Sequence, residues 1–547
     1  MLVAGLLANC LVVFAADPAD PHPPAADFYR NLQNRAILDG SSKVLHWGSD
    51  PANYVQWGTH SNRLIPVYAF GTLGAGEGVD LNSYLGPRSP YRDEAALKQL
   101  YGRVPERTLN PNAGYFDQTN VFDIQRAALA AGKKRIVLVV FDGMGWDTTR
   151  AAAIAKTGAV YREGRGTGLF FQDYAAGGTS QYGLVVTSPY GDQARLDVDS
   201  QQVASCVPGG GYDPARAGPA PWSPMPDREY IKGDAKKKAH VKTDSSASAT
   251  SLCAGVKTYN LAINVARDGS QVDTIAHLAQ RAGYGVGVVT SVPISHATPA
   301  AAYAHNVTRA DYQDLTRDLL GLPSVSHPVA PLPGLDLLMG AGWGAELQKN
   351  EKQGRNFVPG NVYLSAADRR ACDVRTGGKY VVAERVRGRR GAEVLAEGVR
   401  AARASGDRLL GYFGVAKAGD GHLPFRTASG DYLPALDRGK KQEIYSDADV
   451  RENPTLADLA GAALDYLGDR DRFWLMVEAG DVDWANHANN IDSSIGAVLS
   501  GDDAVRVVAN WIEKHGGWKD AVMIVTSDHD HYLVLEDPAA LAKGARP

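Results

Sequence analysis

Asp483 and His487 stand four residues apart in DVDWANH. On a helix that spacing puts both side chains on one face, as a two-ligand metal clip needs. Alone, such a pair is most often a solvated helix face. Asp528 and His529 close AVMIVTSDH, Glu478 closes FWLMVE, and Asp142 opens DGMG directly after RIVLVVF. Each has a plain reading by itself, as a strand end or a tight turn. Together they gather oxygen and imidazole ligands at the ends of several apolar runs. That donor set suits zinc together with a harder ion such as magnesium. His296 and Thr298 follow the run GVGVVTS by a short loop and fall at the same kind of position.

Residues 242–260 read KTDSSASATSLCAGVKTYN. Small residues let a ligand approach a helix N-terminus closely, and the free N–H groups there favour an anion such as phosphate. Asp244 and Ser245 sit at the cap. A serine at a helix start is far more often a simple N-cap, so the position alone does not make Ser245 a nucleophile.

The elements that must carry these residues alternate. Apolar, β-branched runs at 135–141, 285–291, 335–339, 409–413, 473–477 and 522–526 read as strands, with a further strand at 63–70. Helical patterns fall at 116–131, 246–257, 271–282, 392–404, 455–467 and 502–515. Strands alternating with helices predict an α/β fold with a mostly parallel central sheet sandwiched by helices and loop-rich insertions. In such sheets ligands bind beyond the carboxyl ends of the strands, where Asp142, His296, Glu478 and Asp528 all fall.

Composition sets the outer bounds. Of 547 residues, 44% are hydrophobic and 22% charged, an ordinary globular balance that excludes a disordered or fibrous chain. A net charge of -4 argues against a general polyanion binder, and no nucleic acid specificity is expected. No apolar run reaches the roughly 18–20 residues of a membrane span. Residues 1–16 read as a probable signal peptide, with small residues at Ala15 and Ala16, although no Lys or Arg precedes the apolar stretch. An exported, periplasmic or extracellular protein is therefore expected. A lipoprotein reading through Cys10 is weaker, because Asn9 precedes that cysteine. Without the leader Cys206, Cys253 and Cys372 remain, an odd number with no CxxC pair, so cysteine-bound zinc is not expected.

The stretch from Asp244 to Asn260 closely resembles the nucleophile segment of alkaline phosphatases, in which D-S-[AS]-[AS]-[AS]-A-T is followed by G-V-K-T-Y-N. The other pieces occur in matching order: DGMG at 142–145, ISHATPAAAYAHNVTR at 294–309, VEAGDVDWANHAN at 477–489 and VTSDH at 525–529. The resemblance covers most of residues 134–531, with a divergent middle around 310–470. It implies a phosphate monoester hydrolase that works through a phosphoserine intermediate with two zinc ions and one magnesium ion. Ser245 is then the nucleophile. Asp142, Asp528 and His529 bind the zinc beside it, and Asp483 and His487 bind the other. Asp142 bridges to magnesium, which Thr298 and Glu478 complete, and Arg309 holds two phosphate oxygens as a bidentate fork. His296 and Trp484 stand where some members have Asp and Lys, which puts magnesium affinity in question. Family members are often dimers, so a homodimer is admitted.

The family places a third ligand of the second zinc, a histidine, in a C-terminal segment H-T-G-x-x-[VI]-P-[VLI]-[FY]-A-x-G. After His529 this sequence offers only His531. A similar pattern lies instead at 57–71, WGTHSNRLIPVYAFG, where His60, Pro66, Tyr68, Ala69 and Gly71 match. The segment YFDQTNVFDIQRAAL at 115–129 resembles the family's last helix. The expected organisation is a circular permutation. Residues 17–132 complete the catalytic domain, residues 133–547 form the core with an insertion around 310–460, and His60 supplies the missing ligand. The alternatives are a truncated enzyme or His531 as substitute ligand. His422, in a loop, is a weaker candidate for reaching the site. Two functional alternatives stand beside a small-molecule phosphomonoesterase: a related phosphodiesterase, and a phosphate- or metal-binding protein without turnover. Arg309 and Glu478 favour the monoesterase.

Overall fold

Along Arg135–Phe141 every residue after the first is buried, and the side chains divide between two cores. Val137, Val139 and Phe141 enter one apolar cluster, and Ile136, Leu138 and Val140 the other. Phe473–Ala479 divides in the same way. A strand apolar on both faces has to be covered on both, which is the condition of a parallel sheet inside an α/β protein. A computed structural model describes residues 28–230, 240–417 and 420–545. The expected leader, residues 1–16, lies outside the described residues.

The strands of the central sheet, in chain order, are β1 (Ile65–Phe70), β2 (Phe116–Asp117), β3 (Arg135–Phe141), β4 (Gln181–Val186) and β5 (Gly285–Pro293). After these come β6 (Leu337–Ala341), β7 (Tyr380–Glu384), β8 (Arg408–Tyr412), β9 (Phe473–Ala479) and β10 (Ala521–Ser527). They lie side by side in the order β7-β8-β6-β5-β9-β3-β10-β1-β4-β2. From β7 to β10 every neighbouring pair is parallel. β1 alone runs the other way, antiparallel to both β10 and β4. The sheet is thus mostly parallel, as the alternating pattern predicts.

The reversed strand has a consequence for the site. Because β1 opposes β10, the loop that enters β1 lies at the edge where β10 ends. An isolated bridge, Ser61 to Asp530, fastens the two. Ser61 N–H donates to the Asp530 carbonyl at 2.7 Å, and Ser61 Oγ donates to Asp530 Oδ2 at 2.5 Å. His60 is thereby carried to the edge that holds His529.

The helices at this edge are α1 (Thr119–Ala130), α2 (Ser245–Ala254), α3 (Ala297–Ala301), α4 (Asp481–His487) and α5 (Ile491–Lys514). α2 starts and stops on local chemistry. Asp244 accepts a hydrogen bond from Ala247 N–H as the N-cap, and Gly255 at φ 70° ends the helix in the left-handed conformation that glycine tolerates. α5 starts at Ile491, eleven residues before the pattern beginning at 502. The stretch around 310–460 is more than loops, since it supplies β6, β7 and β8 to the sheet. The segment before residue 132 supplies β1 and β2, so one sheet joins both parts of the chain.

Candidate metal centre and nucleophile

The turn after β3 and the end of β10 build the first ligand group. Asp142 follows β3 directly, and Gly143, at φ 72°, turns the chain so that its N–H donates to Asp528 Oδ1 at 2.8 Å. A Cβ on Gly143 would come within 2.7 Å of the His531 ring, so the turn admits only glycine. Met144 N–H donates to Ser527 Oγ at 2.8 Å, which ties the β3 and β10 ends together. His529 Nε2 then lies 3.3 Å from Asp142 Oδ1, 3.3 Å from Asp528 Oδ2 and 3.8 Å from Asp483 Oδ1. Ser245 Oγ approaches the same nitrogen at 3.2 Å.

The second group forms on α4. His487 Nε2 is 3.5 Å from Asp483 Oδ1, His60 Nε2 is 3.7 Å from it, and the two Nε2 atoms are 3.3 Å apart. His60 Nδ1–H donates to the Thr243 carbonyl and His487 Nδ1–H to the Gly58 carbonyl, both at 2.9 Å. Those carbonyls can only accept, so each imidazole presents an Nε2 lone pair to its partners. This is the usual outer support of a metal-ligating histidine. His531 Nε2 lies 2.5 Å from Asp483 Oδ1. Both His529 and His531 follow the end of β10 rather than belonging to it, and both are buried.

Glu478 stands beside these groups at the end of β9. It accepts a hydrogen bond from Thr290 Oγ1, and Thr298 on α3 also lies against it. Sequence reasoning missed Thr290, which sits inside a strand with no motif to mark it. It also missed Gln118, whose Nε2 donates to Ser248 Oγ at 2.6 Å and to the Asp528 carbonyl at 2.9 Å. The only signal for Gln118 was its place at the start of the helical run that became α1.

The electrostatics ask for cations. Both oxygens of Asp142, Asp528 Oδ2 and Glu478 Oε1 are buried without a hydrogen bond. Burial raises the Asp142 pKa well above the carboxylate range, and Asp483, Asp528 and Glu478 push it further. Glu478 is pushed up to about 8 by burial, against hydrogen bonds from Thr290 and Thr298 and with repulsion from Asp528 and Asp483. Burial would raise Asp483 too, but His487, His531 and His529 overcome it and hold that carboxyl well below its usual range. His60 is lowered well below 6.5 by burial and by its neighbouring imidazoles. Burial also takes His531 down to about 4. Buried carboxylate oxygens without donors, beside imidazole nitrogens, fit divalent cations, since lone pairs without a donor are open to coordination.

A cleft of about 750 Å³ opens over this centre, lined by Ser245, Arg309, His296, Trp484, His60 and His487. Arg309 reaches Asp244 Oδ2 at 3.4 Å and His296 Nε2 at 3.3 Å. Burial, then the Arg309 charge, lowers His296 to about 3. The imidazole is therefore neutral and its Nε2 can accept from the guanidinium. Trp484 stands edge-on to His296, with ring centroids 5.6 Å apart. His422 does not enter the site. It lines a neighbouring cleft, edge-on to Trp484 with ring centroids 5.2 Å apart and with Nε2 2.8 Å from Glu443.

A parallel sheet whose carboxyl edge gathers imidazole and carboxylate ligands around a serine at a helix N-terminus defines a metal-binding α/β protein. The family model for alkaline phosphatase matches residues 230–541, more than half of the sequence, and the chain belongs to the alkaline phosphatase family. Alkaline phosphatase 3 of Bacillus subtilis (strain 168) is 27% identical over 289 residues, which are 52% of this chain and 49% of that protein. The alkaline phosphatase of Escherichia coli (strain K12) is 28% identical over 315 residues, 55% of this chain and 61% of that one. The chain thus spans about half to three-fifths of the length of these relatives. Among solved structures, Thermus thermophilus alkaline phosphatase is similar at 21% identity with a TM-score of 0.43, covering 73% of this chain and 60% of that one.

Proposed function

We propose that the protein hydrolyses phosphate monoesters through a phosphoserine at Ser245. The observation that carries this reading is the convergence at one point of the Ser245 hydroxyl, the first turn of α2, the Arg309 guanidinium and the two ligand groups. Asp142, Asp528 and His529 would hold zinc beside Ser245. Asp483, His487 and His60 would hold the second zinc, with His531 steadying Asp483. Asp142, Thr298 and Glu478 would hold magnesium. Bound there, such cations supply Lewis-acid stabilisation of negative oxygens and lower the pKa of oxygen ligands.

The chain's own residues do the rest. The phosphate group enters over the N-terminus of α2, whose free N–H groups favour an anion. Arg309 donates to two of its oxygens as a fork, and Asp244, capping α2, orients that fork from 3.4 Å away. Ser245 Oγ loses its proton to water and attacks phosphorus in line, the ester P–O bond breaks, and the departing alkoxide takes a proton from water to leave as the alcohol. Water then cleaves the phosphoserine, which restores the serine hydroxyl and frees inorganic phosphate. Arg309 stabilises the spreading charge in both steps. Small phosphate monoesters as substrates, and an exported location, accord with this reading.

We also infer that the His60 segment does the work that the family assigns to its C-terminal histidine segment, so that the order of pieces is permuted. Supporting this are the antiparallel β1, the Ser61–Asp530 bridge and the His60 Nε2 approach to His487 and Asp483. The function is tested by comparing p-nitrophenyl phosphate with bis-p-nitrophenyl phosphate, zinc and magnesium supplied. Faster turnover of the monoester, abolished in Ser245→Ala, is expected. Preference for the diester would replace this reading with a phosphodiesterase.

A further inference from the structure

Among the described residues a third group of metal-ligating side chains converges, outside the cleft. His305, Asp318 and His327 each offer one donor atom, and the three atoms lie within 4.8 Å of one another. His305 stands four residues before Arg309, Asp318 lies on the helix Tyr312–Leu320, and His327 lies on the loop that follows. Asp318 is fully buried. Its Oδ2 accepts from the His305 backbone N–H at 2.9 Å, and its Oδ1 accepts from Ser324 Oγ at 2.5 Å and faces His327 Nδ1 at 2.9 Å.

His305 carries the argument. It is buried, and its Nε2 lies 3.0 Å from the Val272 carbonyl. A carbonyl only accepts, so Nε2 holds the proton and Nδ1 holds the lone pair. That Nδ1 is buried with no hydrogen-bond partner. An acceptor taken from water and left unused destabilises the fold, unless something occupies the lone pair. A carbonyl-held imidazole with its other nitrogen free, beside a carboxylate and a second imidazole, is the arrangement of a metal-ligating histidine. Burial lowers the His305 pKa, so the ring is neutral, as a ligand must be.

We propose that His305, Asp318 and His327 bind a divalent cation of the zinc class, separate from the cations of the catalytic cleft. Two imidazoles and a carboxylate suit zinc, with water in the remaining position, and the partly exposed His327 gives access from solvent. The cation joins the loop after Tyr312–Leu320 to the segment that leads into Arg309. Ser326 Oγ, donating to the His305 carbonyl at 2.7 Å, already links the two. The site is structural, and the chemistry in the cleft does not depend on it.

The test uses the full chain, stripped with chelator, reloaded with zinc sulfate and dialysed. Zinc per chain is measured by mass spectrometry for wild type, His327→Ala and His327→Gln. Glutamine keeps a hydrogen bond to Asp318 but is a poor zinc ligand. Both variants are expected to hold about one zinc fewer than wild type. They should also hydrolyse p-nitrophenyl phosphate as wild type does and gain less in Tm on zinc addition. Equal zinc in all three chains overturns the proposal. So does a loss in His327→Ala that His327→Gln does not share, because hydrogen bonding rather than ligation would then explain the cluster.

Discussion

Asp483 belongs to both ligand groups, with Oδ1 within 3.8 Å of the Nε2 atoms of His60, His487, His529 and His531. One carboxylate thus couples two sites that different parts of the chain supply, and the part contributed from before β1 is His60. On this account His60→Ala removes close to one zinc per chain from the cleft. It also lowers kcat by more than the roughly 10–100-fold that loss of a supporting group costs. Bound zinc and p-nitrophenyl phosphate turnover, measured side by side, check this. Unchanged values would leave His531 as the working ligand. Thr290 gives a second prediction at this scale. Its hydroxyl donates to Glu478 and accepts from Val292 N–H at 3.1 Å, so Thr290→Val should loosen Glu478 and raise the magnesium concentration needed for half-maximal activity by roughly 10–100-fold while zinc content stays constant.

At the scale of elements, the turn after β3 fixes the spacing of the whole centre. Gly143→Ala puts a methyl group against His531 and asks alanine to hold φ 72°. It should cost about 1–3 kcal/mol, read as a lower Tm together with weaker zinc retention. A Tm equal to wild type would mean that the turn can relax elsewhere. The elements the sequence made legible were those with a strong local pattern. β3, β5, β9 and β10 are continuous apolar runs, and the ligands at their ends could be named from that alone. β2 is two residues long, β4 contains a glycine, and β7 is a half-buried edge strand. None of these carries a periodic signal. The first half of α5 was hidden because Gly496 and Gly501 weaken helix propensity. Both glycines are packing positions, where a Cβ would meet the Arg426 carbonyl at 2.0 Å and the Phe141 ring at 2.1 Å. The outer supports of the ligands, Thr290, Gln118 and the Gly58 and Thr243 carbonyls, were not legible, because backbone carbonyls and isolated polar residues make no motif.

At the scale of the whole molecule, the centre is a store of buried negative charge that cations must offset. Glu478 titrates at about 8 in the metal-free fold against 4.5 for its ordinary value. Its folded pKa is raised, so its contribution is fully present below 4.5 and is lost as pH rises through 8. His531, lowered to about 4, acts in the opposite sense, but only below 6.5. Between pH 6.5 and 8 the raised carboxyls therefore act without that opposition: Glu478 in the centre, and Asp311 outside it, which burial and Asp314 also push up to about 8. Chelator-stripped protein should lose several degrees of Tm across that window, and zinc plus magnesium should restore the Glu478 share of that loss, but not the Asp311 share, at the alkaline end. A flat Tm would show that the carboxylates are already compensated without metal. Covalent catalysis at Ser245 is decided by trapping the intermediate. Protein turning over a phosphate monoester is quenched in acid and digested, and the peptide spanning residues 242–257 is examined by mass spectrometry. Covalent catalysis predicts phosphate on Ser245 in wild type and none in Ser245→Ala, which is also inactive. Turnover by Ser245→Ala at the wild-type rate, with no phosphate on the wild-type peptide, would contradict it.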